Sequence, residues 1–227
     1  MHLTEEQLER YSRQILAHPF GGQGQRALAL ARVRLFGMSE CLAPAGLYLA
    51  RAGVGHLAVP KRVWETIARS ASPDTIWHRA EDESAGTEAG LWDVAVDAGA
   101  DPAAWHRRVR RQAPRVAALW LGHRSAIGWV ALWSQPLHNP CPLDAAFDTA
   151  CLAPSRKAGD RSVPLGQNVA WCVGTLAATL ALRCLVSDGR DGPSSTWLVL
   201  DLAQGRVWQR AGGSSLTSPC RLCSEGL

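Results

Sequence analysis

The stretch "ARVRLFGMSECLAPAGLYLARAGVGHLAVP", from Ala31 to Pro60, constrains the fold most. "RVRLFG" is a short run with strand character that ends on a glycine. "APAGLYLARAG" carries apolar residues at helical spacing and stops at Gly53, where glycine suits a helix end. "HLAVP" is a second short strand. Two strands joined through one helix pair side by side and run the same way, because only a crossover connection allows parallel neighbours. A chain holding such a unit belongs to the open α/β sheets, not to bundles or sandwiches. The turn between first strand and helix, "GMSECLAP", lies where such sheets keep a glycine-rich phosphate loop, yet it holds a single glycine, Gly37.

The rest of the chain continues the alternation. Thr4 ahead of Glu5, Glu6 and Gln7 is a capping-box start, predicting a first helix through about Leu16. "HPFGGQGQ" reads as a glycine-rich loop. A short helix is expected around Val63 to Ser70, followed by loops, then a strand in "WDVAVDAGA". Asp101 as cap and Pro102 at the first position open a helix in "DPAAWHRRVRRQ". "RVAALWLGHRSAIGWVALWS" reads as two antiparallel strands, and residues 135–164 as an irregular crossover. A long helix is expected from about Asn168 to Val186, then a hairpin turning at Gln204 and Gly205. The expected fold class is α/β: a Rossmann-like, mainly parallel sheet with antiparallel edge strands. We read one domain over 1–227, with an N-terminal helical segment (1–30), a Rossmann-like part (31–135), and a crossover, buried helix, hairpin and CxxC tail (136–227).

Size and composition fit that reading. At 227 residues, 47% apolar and 19% charged, the chain can bury one full core. Its net charge of +4 is too small to imply nucleic acid. The denser run "HRRVRRQAPR", His106 to Arg115, reads as the solvated face of a helix. The N-terminus lacks the basic and apolar regions of a signal peptide. No stretch reads as a membrane span, since "LGQNVAWCVGTLAATLALRCLV" carries Gln167, Asn168 and Arg183 and suits a buried helix better. The expectation is a cytoplasmic protein whose seven cysteines are reduced thiols or metal ligands. Ten tryptophans against three phenylalanines have no functional reading in the sequence.

In order along the chain, these motifs resemble the ThiF/MoeB family of ubiquitin-activating-enzyme-like adenylyltransferases. "LTEEQLERYSRQILAHPFGGQGQRALALARV" is similar to the family's opening, with its "RYSRQI" helix. "PAGLYLARAGVG" resembles its first Rossmann helix, "DVAVDAGAD" its "DxVxDxxDN" strand, and "LGQNVAWCVGTLAATLALRCL" its late buried helix. "LVLDLAQGRVWQ" and "CRLC" resemble the hairpin and half of the zinc motif at its C-terminus. The resemblance implies a ThiF/MoeB-type activating-enzyme fold, ATP and magnesium, and adenylation of the C-terminal glycine of a ubiquitin-like or sulfur-carrier protein. It also implies a homodimer or heterodimer.

Several positions depart from the family pattern. Against "GAGGLGSP", this chain aligns Gly37, Met38, Ser39, Glu40, Cys41, Leu42, Ala43 and Pro44. Ser39 and Leu42 replace glycines, and Glu40 puts a negative charge where a triphosphate would sit. Pro60, Lys61 and Arg62 stand where the family holds ribose with an acid. The "NLxRQ" phosphate segment is not found, leaving Arg69 and Arg79 as its nearest candidates. Ala100 replaces the magnesium aspartate, or Asp101 does after a one-residue shift, though Asp101 serves equally as a helix cap. The crossover "SRKAGDRSVP" has no cysteine nucleophile, and Cys172 and Cys184 read as core residues of the long helix.

Other positions are retained. Arg13 matches the family arginine that reaches into the partner's ATP site. Cys220 and Cys223 have zinc-ligand spacing. The resemblance pairs them with Asp148 and Cys151 as a four-ligand structural zinc site, with Cys141 as a substitute ligand. Stoichiometric zinc in the purified protein, lost on substituting Cys220 and Cys223 by serine, is the expected outcome; a trace of metal beside free thiols at both positions would remove the site.

The leading functional reading is a degenerate family member, a non-catalytic subunit or scaffold beside an active ThiF/MoeB-like paralogue. An active but divergent adenylyltransferase, with phosphates held by Lys61, Arg62 or Arg69, is the alternative. A peptide- or nucleic-acid-binding module comes third.

Overall fold

The computed structural model describes residues 3–17, 20–79, 92–99, 101–134, 165–187 and 195–211. Asp148, Cys151, Cys220, Cys223 and Cys141 lie outside them, as do Ala100 and the crossover. The described residues form one eight-stranded mixed sheet. Strands β1 (Arg32–Gly37), β2 (His56–Val59), β3 (Ile76–Arg79), β4 (Val94–Ala98) and β5 (Ala117–Arg124) are parallel. Strands β6 (Ile127–Ser134), β7 (Thr196–Asp201) and β8 (Arg206–Ala211) continue antiparallel from β5. The spatial order is β3-β2-β1-β4-β5-β6-β7-β8. Strand order therefore reverses between β1 and β4, which makes a crevice at their carboxyl ends. The expected α/β class, with antiparallel strands at one edge, is what the chain adopts.

One sheet face is covered by helices α3 (Gly21–Leu30), α4 (Leu42–Arg51), α5 (Lys61–Ile67) and α7 (Leu165–Val186). The register sets which residues face them. Val33, Leu57 and Val94 align across β1, β2 and β4, and all three are fully buried. α7 is long and apolar enough to cross a membrane by length and composition, with a mean hydropathy of 1.8, contrary to the sequence expectation. It lies against α4, β5 and β6 and buries Val169, Val173, Ala177 and Ala181 among them. Its burial holds for Cys184, at 2% exposure, but not for Cys172, which is exposed. The twelve positions between them carry a helical side chain about a third of a turn round the axis.

The other face accounts for five of the ten tryptophans. Trp120, Trp129, Trp133 and Trp197 lie on it, and Trp105 of α6 (Pro102–Gln112) packs onto Trp120 and Trp133. Each of these four strand tryptophans faces a small partner: Trp129 opposite Gly122, Trp120 and Trp197 beside Ala131, and Trp133 opposite Ala118. A Cβ on Gly122 would come within 2.5 Å of the Trp129 ring. Large against small lets these indoles share one face beneath α6.

Three local expectations are corrected. The first helix breaks at Tyr11 into α1 (Glu5–Arg10) and α2 (Ser12–Leu16), while its Thr4–Gln7 capping box forms. Tyr11 is 3% exposed because it turns inward onto Ser72, and that demand interrupts the helix. "GGQGQ" is helix α3, not a loop. Packing overrides glycine's low propensity there: Gly24 lies against Val186 and Phe20, and buried Gln25 donates to the Ala52 carbonyl at 3.1 Å. The helix around Val63 to Ser70 is α5 plus a 3-10 turn (Ala68–Ser70), and the loops beyond it contain strand β3. β3 exists through its pairing with β2, a long-range partner that local pattern does not report.

Candidate functional site

The crevice is built around the β1–α4 turn. Gly37 has φ +95, and a Cβ there would come within 2.9–3.0 Å of the Ala98 and Gly99 backbone. Only glycine fits at this position. Beyond it the turn closes on itself. Ser39 Oγ accepts from the Cys41 N–H at 3.3 Å. The Ser39 carbonyl accepts from Leu42 N–H at 3.2 Å and the Glu40 carbonyl from Ala43 N–H at 3.4 Å. These are the N–H groups that a Rossmann loop leaves pointing at phosphate. Here they are satisfied by the turn's own oxygens, and the Glu40 side chain adds a carboxylate at the positive end of α4.

An open cleft of about 350 Å³ lies beside this turn. Ser39, Glu40 and Ala43 form one wall and Arg62, Val63 and Thr66 of α5 a second. Gln167 and Trp171, one turn apart on α7, form the third. The helical reading of α7 as wholly buried missed this wall; the polar Gln167 four residues before Trp171 is the signal that marks an open stripe. Arg62 is the one predicted phosphate candidate in the lining. Lys61 sits 3.7 Å from Glu65 on its own helix, and neither Arg69 nor Arg79 lines the cleft.

Asp101 is exposed and does not line the cleft. Its carbonyl accepts from Trp105 N–H at 3.1 Å, and its carboxylate lies 3.8 Å from Arg107, as suits the start of α6. The acid that is buried nearby is Asp97, at 2% exposure. It accepts from Gly99 N–H at 2.7 Å and pairs with Arg108. Arg107, Arg110, Arg111 and Arg115 are exposed, as expected of the basic run, but Arg108 points inward. The sequence reading missed that pairing, although Arg108 falls three residues after buried Trp105 and so shares its side of the helix.

The N–H groups of Cys41, Leu42 and Ala43 are held within the turn, Glu40 stands beside them in the cleft wall, and Pro60 follows β2. The Cys41 thiol of this turn is fully buried. Burial pushes the Cys41 thiol up to about 11, with the nearby Glu40 charge adding to it and the Ser39 contact opposing. It stays protonated at neutral pH.

The N-terminal arm is anchored by its motif. Tyr11 Oη lies 2.6 Å from Ser72 Oγ and donates to Asp74 at 2.9 Å, while Arg10 pairs with Asp74 and Gln7 donates to it at 3.3 Å. Burial would raise the Asp74 carboxyl, but hydrogen bonds from Tyr11, Arg10 and Gln7 hold it below the usual range. Arg13, two residues on, is exposed on α2, near Leu16 at 85% exposure. Neither α1 nor α2 buries a residue of its own.

No family model matches the chain. It is 38% identical over 87 residues to the adenylyltransferase and sulfurtransferase MOCS3 of Drosophila sechellia, covering 38% of this chain and 18% of that protein. The match thus spans less than a fifth of the relative's length. In structure it is similar to PaaA, with a TM-score of 0.64 at 18% identity over 92% of this chain and 75% of that one. It is also similar to Escherichia coli MccB, with a TM-score of 0.65 at 16% identity over 94% and 74%; MccB has also been solved with ATP. The likeness in sequence covers one part of the chain, and the likeness in fold, that of the ThiF/MoeB-type activating enzymes, covers nearly its whole length.

Proposed function

We propose that the chain is a non-catalytic ThiF/MoeB-family subunit, working beside an active adenylyltransferase that activates a ubiquitin-like or sulfur-carrier protein. One observation carries the reading: the backbone donors at the start of α4 are taken by Ser39 and Glu40. A helix start that has satisfied its own N–H groups gains little from phosphate, and Glu40 repels it. The missing acid after β2 supports the same reading, and exposed Arg13 supports a role across a subunit boundary. The anchoring of Arg10 and Tyr11 within the chain leaves Arg13 as the motif's outward cation.

Calorimetry on the isolated chain with ATP and magnesium is expected to give no binding; micromolar affinity would sink the proposal. In the assembled state, Arg13→Ala should slow the partner's adenylation by roughly a hundredfold, the scale for removing one charge-stabilising donor, without changing the subunit's stability. An unchanged rate would make Arg13 an ordinary surface residue. Arg62 in the cleft wall favours a second reading, an active enzyme with a divergent loop. ATP–pyrophosphate exchange by this chain alone with a ubiquitin-like protein would support it.

A further inference from the structure

His56 and His78 meet on the opposite end of the sheet from the cleft. His56 opens β2 and His78 lies on the neighbouring β3, on the same face, since Ala58 is the register partner of His78 and Ile76 that of His56. His56 Nδ1 and His78 Nε2 are 2.9 Å apart, with the rings stacked at 5.2 Å. We propose that this pair is a binding site for one divalent transition-metal ion of the imidazole-preferring class, nickel, copper or zinc.

Two nitrogens bound to one such ion at about 2.1 Å each stand about 3 Å apart when adjacent in its shell, so the pair already has a chelating separation. Both ligands sit on hydrogen-bonded strands, and the edge of His78 packs on buried Trp92 at 5.9 Å. The rings are therefore held before an ion arrives, which removes most of the ordering cost. His78 is exposed and His56 partly so, leaving room for water to complete the shell. Among the described residues no three ligating side chains gather, so the site offers two imidazoles and open positions. The ion takes the place of the proton between the rings, and the donating ring carries that proton on its other nitrogen instead, so two neutral imidazoles bind without net proton release.

The surrounding charges bear on occupancy. Burial, Arg32 and His78 lower the His56 pKa, which keeps the imidazole neutral and available as a ligand. Arg32 also opposes a cation, while Asp93, which accepts from Arg32 N–H at 2.8 Å, partly offsets it. Binding should weaken at low pH, because protons compete with the ion for the ligand nitrogens.

Nickel titration of the full chain, followed by NMR of the histidine and tryptophan rings, tests this. The expected result is that one equivalent broadens the His56, His78 and Trp92 signals and spares His123. His56→Ala and His78→Ala should each weaken binding at least about tenfold, the loss that even an outer-shell partner produces. Broadening confined to other residues would overturn the site and leave the pair a plain hydrogen bond. So would affinity unchanged in both variants, which would assign the metal to the tail cysteines.

Discussion

Arg108→Ala is expected to lower folding stability by about 3 kcal/mol, the low end of the range for a buried charge that loses its partner. Asp97 is 2% exposed, on the strand that borders the switch in strand order, and cannot turn to water. Its carboxylate is held by Gly99 N–H and by Arg108. The Arg108 side chain is 24% exposed and its guanidinium lies 5.6 Å over the Phe36 ring. That partial exposure places the effect at the low end of the range. Urea unfolding of the two proteins measures it. Adding Asp97→Asn to the Arg108→Ala variant should restore more than half of the loss, because a neutral amide removes the charge that Arg108 offsets. A loss below about 1 kcal/mol, the scale of a surface ion pair, would show that water reaches Asp97 and that the pair holds nothing in place.

The same residues show what a sequence can convey. The strand–helix–strand unit from Arg32 to Val59 was legible because each part has its own period and its own stop, Gly37 and Gly53. The alignment of "GMSECLAP" also marked Ser39 and Glu40 as positions where the turn departs from a phosphate loop's pattern. It could not say how: the hydroxyl and carbonyl closing onto Cys41, Leu42 and Ala43 is a matter of backbone path. Arg108 was hidden in a basic run because composition counts charges without directions. β3 was hidden because "IWHR" is a strand only beside β2, and with it went the His56–His78 pair. Trp120, Trp129, Trp133 and Trp197 made no sense singly, since their order lies across strands, each opposite a glycine or alanine.

Gly174→Ala should cost about 2–3 kcal/mol, and Gly174→Leu should leave the chain unable to fold, although Gly→Ala inside a helix ordinarily stabilises it. Gly174 lies mid-way along α7 where that helix crosses the start of α4. A Cβ there would come within 2.3 Å of the Cys41 carbonyl oxygen, 2.5 Å of Pro44 Cγ and 3.0 Å of the Ala45 nitrogen. Two of the three are backbone atoms and the third belongs to a rigid ring, so none can rotate aside. The helices must part instead, which opens the buried contacts of Leu42 and Ala45 and shifts the turn that carries Ser39 and Glu40. Gly22→Ala is the control. Nothing lies within 4 Å of a Cβ there, so helix propensity acts alone and should add a few tenths to about 1 kcal/mol. Thermal unfolding of both variants separates the effects by sign. A stabilised Gly174→Ala protein would mean that α7 and α4 can separate freely, and the β1–α4 turn would then lack the support that keeps its N–H groups closed.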